Sequence, residues 1–142
     1  MPETKRILAI DPGERRVGLA VSDPLGITAQ GLDTFDRRSG DLLGHLRGIV
    51  EAYEVGEIVV GHPVSMSGRP SEASISAGKL AEEIERELKV PTRLWDERLT
   101  SVEARRTLAG SRAPKGAADR IAAVLILQSY LGYLEGADSG EP

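Results

Sequence analysis

The chain reads as an α/β protein whose mixed five-stranded sheet has three antiparallel strands, then two strands reached through helices, with helices flanking the sheet. Three observations predict this. Apolar residues alternate with period two through the first 35 positions, with only short turns between runs. From about residue 39 the spacing changes to the helical three-and-four pattern. Thereafter helical stretches alternate with short apolar runs, as strands joined by crossover helices do.

Positions 6–11 set Ile7, Ala9 and Asp11 against Leu8 and Ile10, a strand buried on at least one face. After the turn Asp11-Pro-Gly-Glu14, Val17, Leu19 and Val21 alternate with Gly18, Ala20 and Ser22 in a second strand, and a third covers 26–35. Ser39 is placed to cap a helix with Leu42, Leu43, Leu46, Ile49, Val50 and Tyr53 on one stripe. A buried strand follows over 57–61 and stops at His62-Pro63. A polar loop over 64–70 leads to a helix over 71–88, with Ile75, Leu80, Ile84 and Leu88 expected inward. Pro91 opens a strand over 92–96, and Thr100 with Glu103 three residues on forms a capping box for a helix that stops at Gly110. A connection over 110–116 precedes a last Ala-, Ile- and Leu-rich helix over 117–134. Residues 1–135 are expected to form one domain, and 136–142 a disordered acidic tail.

Composition narrows the function classes. The chain has 142 residues and no cysteine, which excludes disulfides and thiolate metal sites and fits a reducing compartment. Neither a signal peptide nor a bilayer-spanning apolar run is legible, so the expected location is the cytoplasm, with no membrane partner. A net charge of −4 argues against a nonspecific polyanion coat. The charge is uneven, however. Arg93, Arg98, Arg105, Arg106, Arg112, Lys115 and Arg120 outnumber Asp96, Glu97, Glu103 and Asp119 in one stretch, while the acidic excess lies in 82–87 and in the tail. With aromatics at 4%, single-strand binding driven by stacking is disfavoured, and Trp95 reads as core.

Asp11, Glu97 and Asp119 carry the functional signal, because each stands at the end of a different element. Asp11 closes a buried strand at a Gly-containing turn. It can be a metal ligand, part of a phosphate loop with Gly13 and Gly18, or a turn residue capping its own backbone. Of the adjacent Asp96 and Glu97, one points inward and the other away. Glu97 is the favoured inward ligand, with Asp96 the alternative and otherwise a partner for an arginine or backbone N–H. Asp119 falls on the face of Ala122, Ala123, Ile126 and Tyr130 and needs a metal, an arginine or a backbone donor, unless it only complements the helix dipole. Taken together, the acids suit a two-ion Mg²⁺ or Mn²⁺ phosphodiesterase, with Asp11 bridging and Arg98, Lys115 and Arg120 facing the substrate backbone. The loop over 111–116 could then close over nucleic acid. His62 is a lesser candidate for the cleft, and His45 belongs to a helix boundary.

The strings Asp11-Pro-Gly-Glu-Arg-Arg-Val-Gly-Leu-Ala-Val-Ser-Asp23, Gly61-His-Pro-Val-Ser-Met-Ser-Gly68, Asp96-Glu-Arg-Leu-Thr-Ser101 and Lys115-Gly-Ala-Ala-Asp-Arg-Ile-Ala-Ala123 closely resemble the YqgF/RuvX family, in order and across nearly the whole chain. The resemblance implies an RNase H-like fold. It further implies a nuclease, either maturing the 5′ end of pre-16S ribosomal RNA in ribosome biogenesis or resolving Holliday junctions, with Asp11, Glu97 and Asp119 as metal-binding catalytic acids. Pre-rRNA, and with it ribosomal particles, is the expected partner, and branched DNA the alternative; a resolvase should be a two-fold dimer, whereas the chain itself leaves monomer and homodimer open. From other classes, a noncatalytic nucleic-acid adaptor and an actin-like nucleotide binder remain, although the latter needs a second lobe that this length does not supply.

Overall fold

A computed structural model describes residues 5–63, 69–100 and 117–138. Strands β1 (Arg6–Asp11), β2 (Arg16–Ser22) and β3 (Ala29–Asp36) form an antiparallel meander. Helix α1 (Leu42–Tyr53) leads into β4 (Val55–His62), and α2 (Glu72–Leu88) into β5 (Thr92–Asp96); α3 (Ala117–Asp138) comes last. The sheet order is β3-β2-β1-β4-β5, with β4 parallel to both β1 and β5. This is the mixed sheet the residue pattern predicts. Three further expectations, the loop at 64–68, the helix and connection between 101 and 116, and the last residues from 139, lie outside the described residues.

Because β1 is central, its two faces sort the core. Leu8 and Ile10 join Leu19, Leu46, Ile58, Val60 and Ile84 under α1 and α2. Ile7 and Ala9 join Ala20, Val59, Ala123, Ile126, Leu127 and Tyr130 under α3. Period-two alternation therefore turns Asp11 toward the α3 side.

Several local expectations are corrected. Asp41, not Ser39, caps α1, its carboxylate accepting from Gly44 N at 3.0 Å. Ser39 instead ends a short 3-10 turn and donates to Asp36 O at 2.7 Å. On α2, Ile75 is 50% exposed, and Ser74, Ala77, Leu80, Ala81 and Ile84 form the buried stripe. The cause is the reciprocal cap between Ser71 and Ser74, which faces Ser74 inward and leaves the next residue about 100° around the helix. Helix α3 runs to Asp138, past the expected end at residue 134 and into the acidic stretch.

Candidate active site at the C-terminal edge of the sheet

Asp11 ends the central strand, which is buried from Ile7 onward, and is itself only 9% exposed. Its neighbours on both sides are glycines. Gly18 on β2 pairs directly with Asp11. On β4, Gly61 follows Val60, the partner of Ile10, and so lies alongside Asp11. Both glycines sit where another part of the chain comes in close. A Cβ on Gly18 would stand 2.1 Å from the carbonyl oxygen of Asp119 and 3.4 Å from Asp11 Cβ. A Cβ on Gly61 would stand 3.2 Å from Glu97 Oε2 and 2.6 Å from Ile126 Cδ1. The first turn of α3 thus rests on β2 beside Asp11, and the Glu97 side chain lies over β4 on its other flank.

The neighbouring acid behaves differently. Asp96 ends β5 and accepts from Arg98 N at 2.8 Å, capping the 3-10 turn Glu97–Leu99. Its carboxylate also binds the Arg98 side chain, Nε at 3.1 Å from each oxygen and Nη2 at 2.8 Å from Oδ2. This hydrogen bonding from Arg98 holds the Asp96 carboxyl below its ordinary range. Arg93 lies over the Tyr130 ring at 5.6 Å and Trp95 packs in the α3-side core, so alternation brings Glu97 to the α3 side and Asp96 to the other. His62, in register with Asp96, falls on that other side too.

Asp119, one-third exposed in the first turn of α3, has Arg16 Nη1 4.0 Å from Oδ2. Sequence reasoning missed Arg16; its position across the Asp11 turn was the available signal. Nor did the pattern identify the packing role of Gly18 and Gly61, since nothing local shows what lies above a glycine. Among the described residues no three His, Asp or Glu side chains close on one point as a metal cage. What the structure brings together around Asp11 is the Asp119 backbone and the Glu97 side chain. The donors available there are carboxylate oxygens, and the chain holds no thiolate, a set suited to hard divalent cations.

The arginines expected to face substrate are exposed, and each holds a carboxylate. Arg98 holds Asp96, and Arg120 donates to Leu32 O and Asp33 Oδ1, both at 3.0 Å, across Gly31. Lys115 lies outside the described residues. Trp95 is structural, as its composition-based reading expects: Nε1 donates to Ser129 Oγ at 3.0 Å and its ring meets Tyr130 edge-on at 5.1 Å. His45, exposed on α1, stacks on Phe35 with ring centroids 4.4 Å apart.

Comparison with known proteins places the chain in a family. The RuvX family model, described as "Holliday junction resolvase", matches residues 5–133. A protein of Koribacter versatilis named "Putative pre-16S rRNA nuclease" is 50% identical over 142 residues, covering 96% of this chain and 92% of its own. A protein of Dictyoglomus thermophilum with the same name is 44% identical, covering 89% and 94%. In fold the chain resembles the RuvC protein of T. thermophilus solved with a Holliday junction substrate, with a TM-score of 0.60 at 16% identity over 93% of this chain and 96% of that one.

Proposed function

The chain belongs to the RuvX family, and from that premise we propose that it is a metal-dependent endonuclease cutting structured nucleic acid, with precursor 16S ribosomal RNA as its substrate. The observation that carries the reading is Asp11, buried at the end of the central strand between Gly18 and Gly61, with Asp119 and Glu97 brought in over those glycines. Asp11 stands at a strand end in an open α/β sheet, which is where ligands bind. Full-length similarity to relatives named for pre-16S rRNA supports the substrate.

Asp11, Glu97 and Asp119 would hold one or two Mg²⁺ or Mn²⁺ ions, which when bound supply acidity to an attacking water and positive charge at the leaving oxygen. The chain contributes orientation. Strand pairing holds Asp11 in place, and Arg16 draws the Asp119 carboxylate toward the Asp11 turn. Arg98 and Arg120 sit in exposed ion pairs, which water and salt screen and which can give way to substrate phosphates. Lys115 would join them. The family description, "Holliday junction resolvase", keeps branched DNA as the alternative substrate, and a resolvase would act as a two-fold dimer. Among the described residues no helix is long and apolar enough to cross a membrane; the proposed setting is the cytoplasmic precursor ribosomal particle.

The test is cleavage of labelled precursor 16S RNA and of a four-way DNA junction in Mg²⁺, Mn²⁺ or EDTA, by wild type and Asp11→Asn. Metal-dependent cutting of the RNA, lost by a factor of about 100 or more in Asp11→Asn with binding retained, is the expected result. Symmetric cutting of the junction alone transfers the activity to branched DNA. Binding by wild type without metal-dependent cutting of either substrate overturns the enzyme reading in favour of an adaptor.

A further inference from the structure

A cavity of about 400 Å³ opens at the same edge of the sheet, on the α2 side. It is lined by Pro12, Gly13 and Glu14, which directly follow Asp11, by Arg37, and by the first turns of α2 with Glu72, Ala73, Ile75 and Ser76. Arg37 lines it, and Arg15 and Arg38 are the chain neighbours of the lining residues Glu14 and Arg37, a grouping that the sequence pattern did not show because its members follow two separate strands. Arg37 N donates to Arg15 O at 2.8 Å, clamping the 3-10 turn after β3 against the turn after β1. The side chains of Arg15 and Arg38 are 51% and 68% exposed and share one carboxylate, Asp36, at 3.4 and 3.7 Å. Arg37 is exposed and forms no ion pair among the described residues. Asp36 and the lining Glu14 and Glu72 match the three arginines in number, so cationic and acidic groups stand side by side next to the proposed catalytic acid.

We propose that the cavity takes one unpaired nucleotide of the substrate strand adjacent to the cleaved phosphodiester, with Arg15, Arg37 and Arg38 holding the phosphates that follow it. The volume lies in the range of small-ligand pockets and admits a single nucleotide but no base pair. Pro12, Ala73 and the half-exposed Ile75 offer an apolar surface to a base face. Glu14 and Glu72 offer acceptors that satisfy base amino groups and repel phosphate, so the base turns inward and the phosphates turn to the arginines. Splayed bases of single-stranded loops, bulges and ends are the usual targets of sequence-specific RNA recognition. Asp11 and Gly13 are separated by at most ~7 Å of chain; Asp11 turns toward α3 and the cavity opens on the α2 side, so the substrate strand would pass around the end of β1 between the bound nucleotide and the cut. The assignment rests on the nuclease reading for what is cut, though not for what is bound.

The experiment measures binding by fluorescence anisotropy, in EDTA, of a labelled single-stranded RNA and a blunt RNA duplex to wild type, Ala73→Leu and the double variant Arg37→Ala/Arg38→Ala. Melting temperatures verify folding, and a parallel Mg²⁺ assay reads cleavage by wild type. Ala73 is exposed, so a leucine side chain there fills the cavity without entering the core and without adding a ring on which a base could stack. The expected result is about tenfold weaker single-strand binding by Ala73→Leu with duplex binding unchanged. The double variant should lower the slope of log affinity against log salt by about 1.4, two phosphate contacts on a single strand. Single-strand binding unchanged in both folded variants, or absent in wild type, overturns the inference. If wild type cuts RNA while the variants bind as it does, the pocket is wrong and the nuclease reading stands. If the variants lose binding as expected while wild type cuts nothing, the pocket stands and the nuclease reading falls.

Discussion

Replacing Gly18 with alanine tests whether the first turn of α3 is seated on β2 beside Asp11. The new Cβ would lie 2.1 Å from the Asp119 carbonyl oxygen and 2.7 Å from its carbon, both backbone atoms. Carbon and oxygen in van der Waals contact stay more than 3 Å apart, so α3 must retreat by about 1 Å. Overpacking of this kind costs about 1–3 kcal/mol, and at about 2–4 °C per kcal/mol for a chain of this size the melting temperature should fall by roughly 2–12 °C. The catalytic effect should be larger than the thermodynamic one. A 1 Å displacement of a catalytic group costs about 10²-fold in rate, and the group displaced is Asp119. Gly61→Ala provides the control for stability alone, since its new Cβ meets side-chain atoms of Ile126 and Glu97, which can shift, but Glu97 is itself a proposed ligand. Calorimetry should rank Gly18→Ala well below Gly61→Ala in stability, and single-turnover cleavage by Gly18→Ala should fall well below that of wild type. A Gly18→Ala protein as stable and as active as wild type would refute the seating of α3 and, with it, the convergence of Asp119 on Asp11.

Other predictions follow from the same geometry. Glu97→Gln should lose cleavage by a factor of about 100, whereas Asp96→Asn, which keeps the cap on Arg98 N, should stay within a few-fold of wild type in the same assay; the reverse order would make Asp96 the inward ligand. Tyr130, buried at 1% exposure and donating to Glu57 Oε2, has its phenol pushed up to about 12, by burial first and by Glu57 second. The unfolded phenol ionises near 10, so the native state holds the proton more tightly between these values. Denaturant unfolding should therefore show a contribution present below about pH 10 and lost as pH rises toward 12, and Tyr130→Phe should remove that part of the decline; an identical pH profile in the variant would reject it. Asp41→Ala should destabilise the fold by about 1 kcal/mol in urea titration, while Ser39→Ala should cost less, since Asp41 and not Ser39 caps α1.

The local elements were legible because their signals are local. Period two in 6–11 and 17–22, then helical spacing after residue 39, gave the meander and the crossover order, and both faces of β1 sort as the alternation requires. Errors arose where two local signals competed. Ser39 and Asp41 can both cap, and a preceding 3-10 turn, itself capped by Asp36, decided between them. Ile75 looked inward by hydrophobicity, but the Ser71–Ser74 cap set the phase of the helix. At the site, strand parity separated Glu97 from Asp96, and the Asp-Arg hydrogen bonds agree with the role expected for Asp96.

By itself the sequence determined the strand and helix order, the family, and three acids at the ends of three elements, because strand parity and helix phase need no knowledge of distant partners. Only the tertiary structure decided what stands over each glycine, that Arg16 reaches Asp119, and that Arg15, Arg37 and Arg38 share one edge with Asp11. Such proximities join residues far apart in the chain. They are set by sheet register and by the close approach of α3 to β2, and no local pattern encodes that distance.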